Sequence, residues 1–378
     1  MTDDLTLHAH LVGRQGSRAD LNTPVLVLDG DALDRNIAAM AGLAAAHGVG
    51  LRPHAKTHKS VDIAKRQLAA GASGVCCAKI GEAEVLAESG VTGILITSPV
   101  AAPRAVERLA LLAGKAEGLM AVVDHPAVAA RLDAALNTRL DVIIDIDPGI
   151  ARTGVASPEA AVALAEAIAG LANLRYRGVQ FYCGRQQHIE AYADRRAAIE
   201  ERTAYLQTVI AALADAGHAP EIVTGSGTGT HRIDLDLGVF TELQAGSYVF
   251  MDKQYLDCDL TGDGAVPFET SLVVDARVVS ANQSGLVTID AGYKSLSTDG
   301  GVAVVRRGAP ETAAFVFMGD EHAALISPGI GEALAPGDPV TLTVPHCDPT
   351  VNLYDHYHVI EGETLVAIWP VSARGRAR

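Results

Sequence analysis

The sequence has few basic residues and no extended basic segment. Lys and Arg number 30 against 45 Asp and Glu, the formal net charge is −15 at pH 7, and the one basic cluster is the C-terminal Arg374–Arg378. Nucleic-acid binding needs clustered Lys and Arg that contact phosphates, so this composition argues against a nucleic-acid partner. We expect the ligands to be small molecules.

A basic leader and a long apolar segment are also missing. The chain opens with Met1-Thr2-Asp3-Asp4, which is acidic where a secretory signal is basic. No uncharged apolar stretch is long enough to cross a bilayer. We therefore expect a cytoplasmic protein without a membrane segment.

Cysteines are scarce and lack the spacing of a metal or disulfide framework. No CxxC pair occurs among the five, which are Cys76, Cys77, Cys183, Cys258 and Cys347. This pattern argues against zinc-finger chemistry and predicts reduced, incidental thiols.

Residues 24 to 250 alternate between short β-branched runs and Ala-rich segments of helical periodicity. In the segment Asp31 to His47, for example, Leu33, Ile37 and Met40 fall on one apolar stripe. Repeated βα units build parallel sheets, and eight units favour a closed (β/α)8 barrel over the alternative, an open doubly wound sheet. The eight predicted strands are 50–53, 74–78, 93–97, 119–123, 141–147, 178–182, 221–224 and 242–245.

After residue 255 the pattern changes to β-strands separated by Gly, Pro and Asp turns. Val340, Leu342 and Val344 alternate with threonines, which is the period of a strand with one buried face. The predicted strands here are 271–281, 285–290, 339–344 and 364–369. We predict an α/β barrel over residues 24–254 and a C-terminal all-β domain built from 255–378 with 1–23, an irregular arm that packs on it.

Glycine-rich segments follow the last two predicted barrel strands. Thr224–Thr230 follows the seventh strand and Gly246–Tyr248 the eighth, where barrels often bind phosphate. Glycine N–H groups and Ser or Thr hydroxyls suit an anion, although a flexible connector is the alternative. The candidate phosphate residues are Thr224, Gly225, Ser226, Gly227, Thr228, Gly246, Ser247 and Tyr248.

A lysine at another strand end would complete a pyridoxal phosphate site, because that cofactor's aldehyde requires a lysine amine. Lys56 and Lys79 both follow predicted strands. Position alone does not separate them, and either can instead be a surface charge.

Several strings resemble the D-threonine aldolases, together with the related 3-hydroxy-D-aspartate aldolases and the eukaryotic-type D-serine dehydratases, which share the alanine-racemase-like fold. The matching strings include Thr23–Asp29, Arg52–Lys56 and Val371–Gly375, so the resemblance covers nearly the whole chain. It implies that Lys56 holds pyridoxal phosphate, that Lys79 is structural and that the phosphate lies on 225–228 and 246–248. It also implies that Arg152 lies beside the pyridine nitrogen of the cofactor and Tyr182 near its ring. A homodimer is a further implication of the resemblance.

The string Pro345–Asp355 contains His346 and Asp348, two residues apart. In an extended strand such residues point to one side, and Cys347 would point to the other as a packing residue. Spacing alone leaves a structural role open. The resemblance implies a metal pair, because the aldolases of this group carry His-x-Asp where the dehydratases carry His-x-Cys. An imidazole with a carboxylate suits a hard ion, Mn²⁺ or alternatively Mg²⁺.

The predicted reaction is retro-aldol cleavage of a β-hydroxy D-amino acid, such as D-threonine to glycine and acetaldehyde. A metal lowers the pKa of the β-hydroxyl, and a base accepts its proton. His188 lies where the family has its catalytic histidine, although a solvated histidine at a helix start is the alternative. His54 and His58 flank Lys56, and we expect both to be structural.

Two departures from the aldolase pattern leave the substrate open. Ala78 stands where the family often has glutamine, and Cys183 where it often has histidine. The alternative substrate is therefore 3-hydroxy-D-aspartate, which would be cleaved to glycine and glyoxylate. A separate alternative on the same scaffold is D-serine dehydration to pyruvate and ammonia. A non-catalytic cofactor-binding protein with a single barrel is the remaining class, but it would lack the β-domain and the His346/Asp348 pair.

Overall fold

The computed structural model describes residues 3–378 and divides into two compact units. One comprises the N-terminal segment as far as Ile37, Ser247–Asp257 and Phe268–Arg374; the other comprises Ala38–Gly246, Cys258–Pro267 and Gly375–Arg378. The domain boundaries predicted at residues 24 and 254 stay a prediction. Within residues 3–378, no helix is both long and apolar enough to cross a membrane.

The N-terminal arm is more regular than the sequence suggested. It contains helix α1 (Asp4–His8) and two short 3-10 helices (Ala9–Leu11 and Ser17–Asp20) before strand β1 (Val25–Asp29) and helix α2 (Gly30–Ala46). The Asp3 carboxylate accepts the Thr6 N–H at 2.8 Å and caps α1, which the sequence analysis did not anticipate. Helix α2 confirms the helix predicted from residue 31 to residue 47.

The barrel unit contains the parallel strands that the sequence predicts. Its elements in chain order are β2 (Gly50–Leu51), α3 (Val61–Ala69), β3 (Cys76–Cys77), α4 (Ile80–Glu88), β4 (Leu95–Ile96), α5 (Pro103–Ala113), β5 (Met120–Val123), α6 (Pro126–Ala135), β6 (Leu140–Asp145), α7 (Pro158–Ala169), β7 (Leu174–Phe181), α8 (Tyr192–Asp215), β8 (Ile222–Gly225), α9 (His231–Leu237) and β9 (Glu242–Leu243). Each of the eight predicted strands corresponds to one of β2–β9.

Contacts between the two end strands show that this sheet closes. It runs β2-β9-β8-β7-β6-β5-β4-β3 with parallel pairing throughout. The two end strands meet through a parallel bridge between His54 and Cys76, with Ala55 N–H donating to Cys76 O and Cys76 N–H to Pro53 O, both at 2.8 Å. The predicted barrel is therefore confirmed, and the open-sheet alternative is wrong.

The second unit contains a nine-stranded sheet, which confirms the predicted all-β domain. Its elements after the barrel are α10 (Lys253–Leu256), β10 (Leu272–Gln283), β11 (Leu286–Ile289), β12 (Val304–Arg307), β13 (Ala314–Phe317), β14 (Ala323–Ile326), α11 (Ile330–Ala333), β15 (Pro339–Thr343), α12 (Cys347–Val351), β16 (His356–Glu361) and β17 (Thr364–Pro370). The main path is β13-β14-β11-β10-β1-β16-β17, and β15 pairs with β10 and β12. Strands β12, β13, β14 and β16 were not predicted.

The N-terminal arm packs on this sheet, as expected. Leu11 and Leu21 join a buried cluster with Val25, Val273 and Leu365. Arg18 forms a two-pronged ion pair with Asp275 at 2.8 and 2.9 Å, and only 10% of its side chain is exposed. The arm is thus held by apolar burial and by a charge pair that is largely removed from solvent.

Candidate active site

Lys56 lies in a turn directly after β2, at the carboxyl end of the barrel. Its side chain is partly exposed, whereas Lys79 is exposed at the start of α4. A third lysine, Lys59, is buried and bonds Glu82 at 2.7 Å, which commits it to an ion pair. Of these three lysines, Lys56 is therefore the one whose surroundings suit a cofactor amine, half-enclosed at a barrel strand end.

His54 orients the turn that carries Lys56. The Lys56 N–H donates to His54 Nδ1 at 3.3 Å, so the other ring nitrogen carries the proton and donates to Thr97 Oγ1 at 3.1 Å. A Cβ on Gly246 would lie 2.7 Å from Thr57 Oγ1 and 3.0 Å from His54 O. The glycine that ends the β9 segment thus lies directly against the Lys56 turn.

A buried polar layer crosses the barrel interior. Arg52 donates both Nε and an NH2 group to Glu242 at 2.9 Å, and further hydrogen bonds of 2.8 to 3.2 Å extend the layer. The complete series is Arg52, Glu242, Thr224, Gln244, Gln180 and Asp145. The structure places Thr224 here, fully buried, with its hydroxyl donating to Glu242 and accepting from Gln244.

Asp145 ends this layer beside a cleft that holds two predicted cofactor residues. Burial raises the pKa of the Asp145 carboxyl to about 6, against the hydrogen bonds from Thr153 and Gln180 that favour its ionised form. Asp145, Arg152 and Tyr182 line the same cleft. The Arg152 guanidinium lies over the Tyr182 ring, 5.8 Å from its centroid, so the cleft joins a cation to an aromatic face.

The glycine loop after β8 is packed too tightly for side chains at two positions. A Cβ on Gly227 would lie 2.3 Å from Gln187 Oε1, and one on Gly229 would lie 1.9 Å from Gln187 O. Below the loop, the Thr230 hydroxyl donates to the buried Asp234 at 2.6 Å. These contacts argue against the flexible-connector interpretation, because a flexible loop would not be anchored on two sides.

The metal-pair residues lie in the other unit and differ from the predicted geometry. The extended strand expected across 346–348 is wrong, because β15 ends at Thr343 and Cys347 begins helix α12. Asp348 and Pro349 occupy the first turn of that helix, where an acidic side chain and a residue without N–H are both favoured. His346 is the residue immediately before the helix and has an extended backbone.

Cys347 is buried, as expected for a packing residue. Its side chain is inaccessible, and burial raises its pKa well above the usual value, so the thiol stays protonated. Its backbone N–H donates to the buried Asp252 at 2.8 Å. Asp252 also caps helix α10 by accepting the Tyr255 N–H at 3.2 Å, which ties the start of α12 to a second helix.

Comparison with known proteins identifies the family. The family model of the alanine racemase N-terminal domain matches residues 28–254, and the family model of a putative serine dehydratase domain matches residues 271–360. A 3-hydroxy-D-aspartate aldolase of Paracoccus denitrificans (strain Pd 1222) is 37% identical over 369 residues, covering 95% of this chain and 93% of the relative. The chain belongs to the family of the 3-hydroxy-D-aspartate and D-threonine aldolases.

The chain is also similar to two D-threonine aldolases. A D-threonine aldolase of Arthrobacter sp is 36% identical, covering 95% of this chain and 94% of the relative. The crystal structure of D-threonine aldolase from Filomicrobium marinum has a TM-score of 0.90 at 38% identity, covering 95% of this chain and 97% of that one. The resemblance found in the sequence is confirmed.

Within the aldolase family fold, Gln187 is a site residue that the sequence analysis missed. It is fully buried; its Oε1 accepts the Gly229 N–H at 3.0 Å, and its Nε2 donates to Cys183 O at 3.2 Å and to Thr230 Oγ1 at 3.1 Å. Gln187 directly precedes His188. The one signal in the sequence was this adjacency to the candidate base, which does not by itself indicate a contact with the glycine loop.

The His188 segment is also anchored by Arg195 of α8. Arg195 is fully buried, and its guanidinium donates to the carbonyl oxygens of Ile189, Glu190 and Asp259. His188 itself is partly exposed. The candidate base His188 therefore lies in a loop that is fixed on both sides, by Gln187 before it and by the Arg195 contacts after it.

A different trio satisfies a simple distance criterion for metal binding. Among residues 3–378, Asp4, His8 and His358 form the one group of three potential ligands with ligand atoms within 4.8 Å of each other. His8 Nε2, however, accepts the backbone N–H of Asn22 at 3.0 Å, so Nδ1 carries the proton of neutral His8 and donates to His358 Nε2 at 2.8 Å. The trio is therefore a hydrogen-bonded histidine pair rather than a metal centre.

Proposed function

We propose that this protein is a pyridoxal phosphate and divalent-metal-dependent lyase that cleaves the Cα–Cβ bond of β-hydroxy D-amino acids. The expected reaction converts D-threonine to glycine and acetaldehyde, and 3-hydroxy-D-aspartate is the alternative substrate. The observation that carries the proposal is the arrangement of Lys56, the Arg152–Tyr182 cleft and the anchored glycine loop at the carboxyl ends of strands in one barrel. Full-length similarity to aldolases supports it.

The barrel residues suit pyridoxal phosphate. We assign the Lys56 amine to the cofactor aldehyde, Arg152 to its pyridine nitrogen and Tyr182 to its ring. The phosphate would lie on Gly225–Thr228 and Gly246, with Ser247 and Tyr248, while Thr224 supports the loop from the buried layer. Gln187 lies against Gly227 and Thr57 against Gly246, too close for a side chain at either glycine. The backbone N–H groups would therefore be the part of the loop that binds the anion. When bound, this cofactor supplies an electron sink for the pair released at Cα.

His188 is the candidate base for the proton of the β-hydroxyl. In the cleavage, the O–H proton passes to the imidazole, the Cα–Cβ bond breaks, and the oxygen becomes the aldehyde carbonyl; a proton then adds to Cα to give glycine. His188 Nδ1 is a buried atom, so we assign the proton transfer to Nε2. The fixed loop holds this nitrogen in place without a conformational step.

His346 and Asp348 are the candidate metal ligands. One imidazole and one carboxylate suit Mn²⁺, with Mg²⁺ as an alternative, better than they suit zinc, because the neighbouring thiol of Cys347 is buried and protonated. The ion would lower the pKa of the substrate hydroxyl. A carboxylate at position 348 favours the aldolase over D-serine dehydration.

We further propose a cytoplasmic homodimer with small-molecule substrates. The acidic composition and the absence of a basic cluster outside the terminus support small, non-nucleic ligands. The resemblance to the aldolases supports the dimer, and equilibrium sedimentation would test it.

The decisive experiment incubates purified protein with pyridoxal phosphate, Mn²⁺ and D-threonine and measures glycine and acetaldehyde. We expect glycine and acetaldehyde in equal amounts. Lys56→Ala should lose both the visible absorption of the bound cofactor and the activity, whereas Lys79→Ala should keep both. A chelator should abolish activity, and 3-hydroxy-D-aspartate in parallel ranks the two substrates. Pyruvate and ammonia from D-serine, without glycine from either substrate, would refute the aldolase assignment.

A further inference from the structure

One short segment, residues 297–300, holds His346 through both its backbone and its ring. The His346 N–H donates to Ser297 Oγ at 3.1 Å, and the Ser297 hydroxyl donates to His346 O at 3.0 Å. Thr350 Oγ1 donates to the same carbonyl at 2.8 Å and accepts the Ser297 N–H at 3.1 Å. The backbone of His346 is thus fixed by hydroxyls on either side.

The ring contact comes from Asp299. His346 Nδ1 lies 2.8 Å from Asp299 Oδ2, with 23% of the histidine side chain and 55% of the aspartate side chain exposed. A Cβ on the next residue, Gly300, would lie 2.9 Å from His346 Cβ, so the segment packs directly on the histidine. The contact is therefore part of a packed arrangement and not a chance pairing of mobile surface charges.

The chemistry of this contact determines which ring nitrogen can bind a metal. An ionised carboxylate only accepts hydrogen bonds, so Nδ1 must carry the proton. In a neutral imidazole the remaining lone pair is then on Nε2. Carboxylates in this position orient ligating histidines and increase their basicity in many metal sites.

We infer that Asp299 is a positioning residue for the metal centre: it holds His346 in the Nδ1–H tautomer and presents Nε2 as the ligand. This inference rests on the proposed His346/Asp348 metal pair and deepens it. Asp299 acts through His346 and does not itself bind the ion, because it lies on the Nδ1 side of the ring and the Nε2 lone pair points away from that side.

The test measures Mn²⁺ affinity of the cofactor-loaded protein by isothermal titration calorimetry, with Asp299→Ala and Asp299→Asn compared to wild type. Asp299→Ala removes the acceptor, and we expect the Kd to rise about 10- to 100-fold. Asp299→Asn keeps a carbonyl that can accept from Nδ1, so the rise should be clearly smaller. Aldolase activity of Asp299→Ala should recover at saturating Mn²⁺, because only the occupancy of the site is reduced.

Control variants distinguish a failure of the Asp299 role from a failure of the proposed His346/Asp348 metal pair. Asp320→Ala removes an exposed carboxylate of the same unit and should leave the Kd unchanged, and His346→Ala should abolish binding. If wild type and His346→Ala bind Mn²⁺ equally, the metal pair itself is wrong. If His346→Ala loses binding while Asp299→Ala matches wild type, the role of Asp299 is wrong. Equal, severe losses in both Asp299 variants would make Asp299 a direct ligand and overturn its positioning role.

Discussion

Gln187 Oε1 accepts the backbone N–H of Gly229 at 3.0 Å, which joins the segment carrying His188 to the glycine loop after β8. The two segments are 42 residues apart in sequence. In the proposed function, this contact connects the candidate base with the candidate phosphate site, so a change at Gln187 should affect cofactor binding as well as catalysis.

We expect Gln187→Ala to weaken cofactor binding. The substitution leaves the buried Gly229 N–H without its acceptor, a loss of about 1–3 kcal/mol that corresponds to roughly 5- to 150-fold in Kd. Titration of the apoprotein with pyridoxal phosphate, followed by visible absorbance, measures this. The matched control is Gln186→Ala at the partly exposed neighbouring position, which should bind as wild type. Unchanged cofactor affinity in Gln187→Ala would contradict the link.

The buried ion pair of Arg52 and Glu242 should be needed for barrel stability. Both side chains are less than 10% exposed, and Arg52→Met would leave the Glu242 carboxylate buried without its cation. Such a loss typically lowers the free energy of unfolding by about 3–5 kcal/mol, which urea unfolding can measure. Arg104→Met, which breaks an exposed ion pair with Glu107, should have no measurable effect. Similar midpoints for the two variants would show that the barrel does not depend on this pair.

Acid should weaken the attachment of the N-terminal arm. His358 is buried against His8, with Asp4 and His356 nearby, and burial lowers the pKa of His358 to about 4 from 6.5. Between these values the unfolded chain binds more protons than the folded chain, so the free energy of unfolding falls as pH drops from 6.5 to 4. The effect of one such histidine is at most about 3 kcal/mol.

Paired unfolding experiments at pH 7 and pH 4.5 isolate this contribution. His358→Gln should lose part of the difference that wild type shows between the two pH values. His47→Gln, at an exposed helix end, should keep it. A His358→Gln protein with the wild-type pH dependence would assign the acid sensitivity to other groups.

The barrel was predictable because its signals are local. Each βα unit carries its own apolar periodicity, so all eight strands were found, with boundaries off by a few residues. Strands β13 and β14 were missed although β11, which is equally short, was found; Phe315 and Leu325 meet only through pairing between strands. Local sequence does not reveal such pairing.

The candidate site was predictable only in part, for the same reason. Lys56, Arg152 and the glycine loop follow strands, and strand ends meet at one side of a barrel. Gln187 and Asp299 act through contacts that span 42 and 47 residues and leave no motif. The conformation of Cys347 and Asp348 was mistaken because the alternation along β15 was extended past Pro345, into residues that begin helix α12.

Replacing Asp348 should change which metal the protein prefers. Asp348→Cys converts the proposed oxygen ligand into a thiol, and a thiolate favours zinc over manganese. We therefore expect Mn²⁺ affinity to fall, Zn²⁺ affinity to rise, and Mn²⁺-supported glycine release from D-threonine to drop by at least about tenfold, the range seen when metal-site partners are lost. Calorimetric titrations with each ion, and assays with D-threonine and D-serine, measure the change. Asp348→Asn, which keeps a side-chain oxygen without its charge, serves as the control and should weaken the binding of both ions without reversing their order. If Asp348→Cys keeps the wild-type order of Mn²⁺ and Zn²⁺, residue 348 does not bind the ion, and the carboxylate cannot be what separates cleavage from dehydration in this chain.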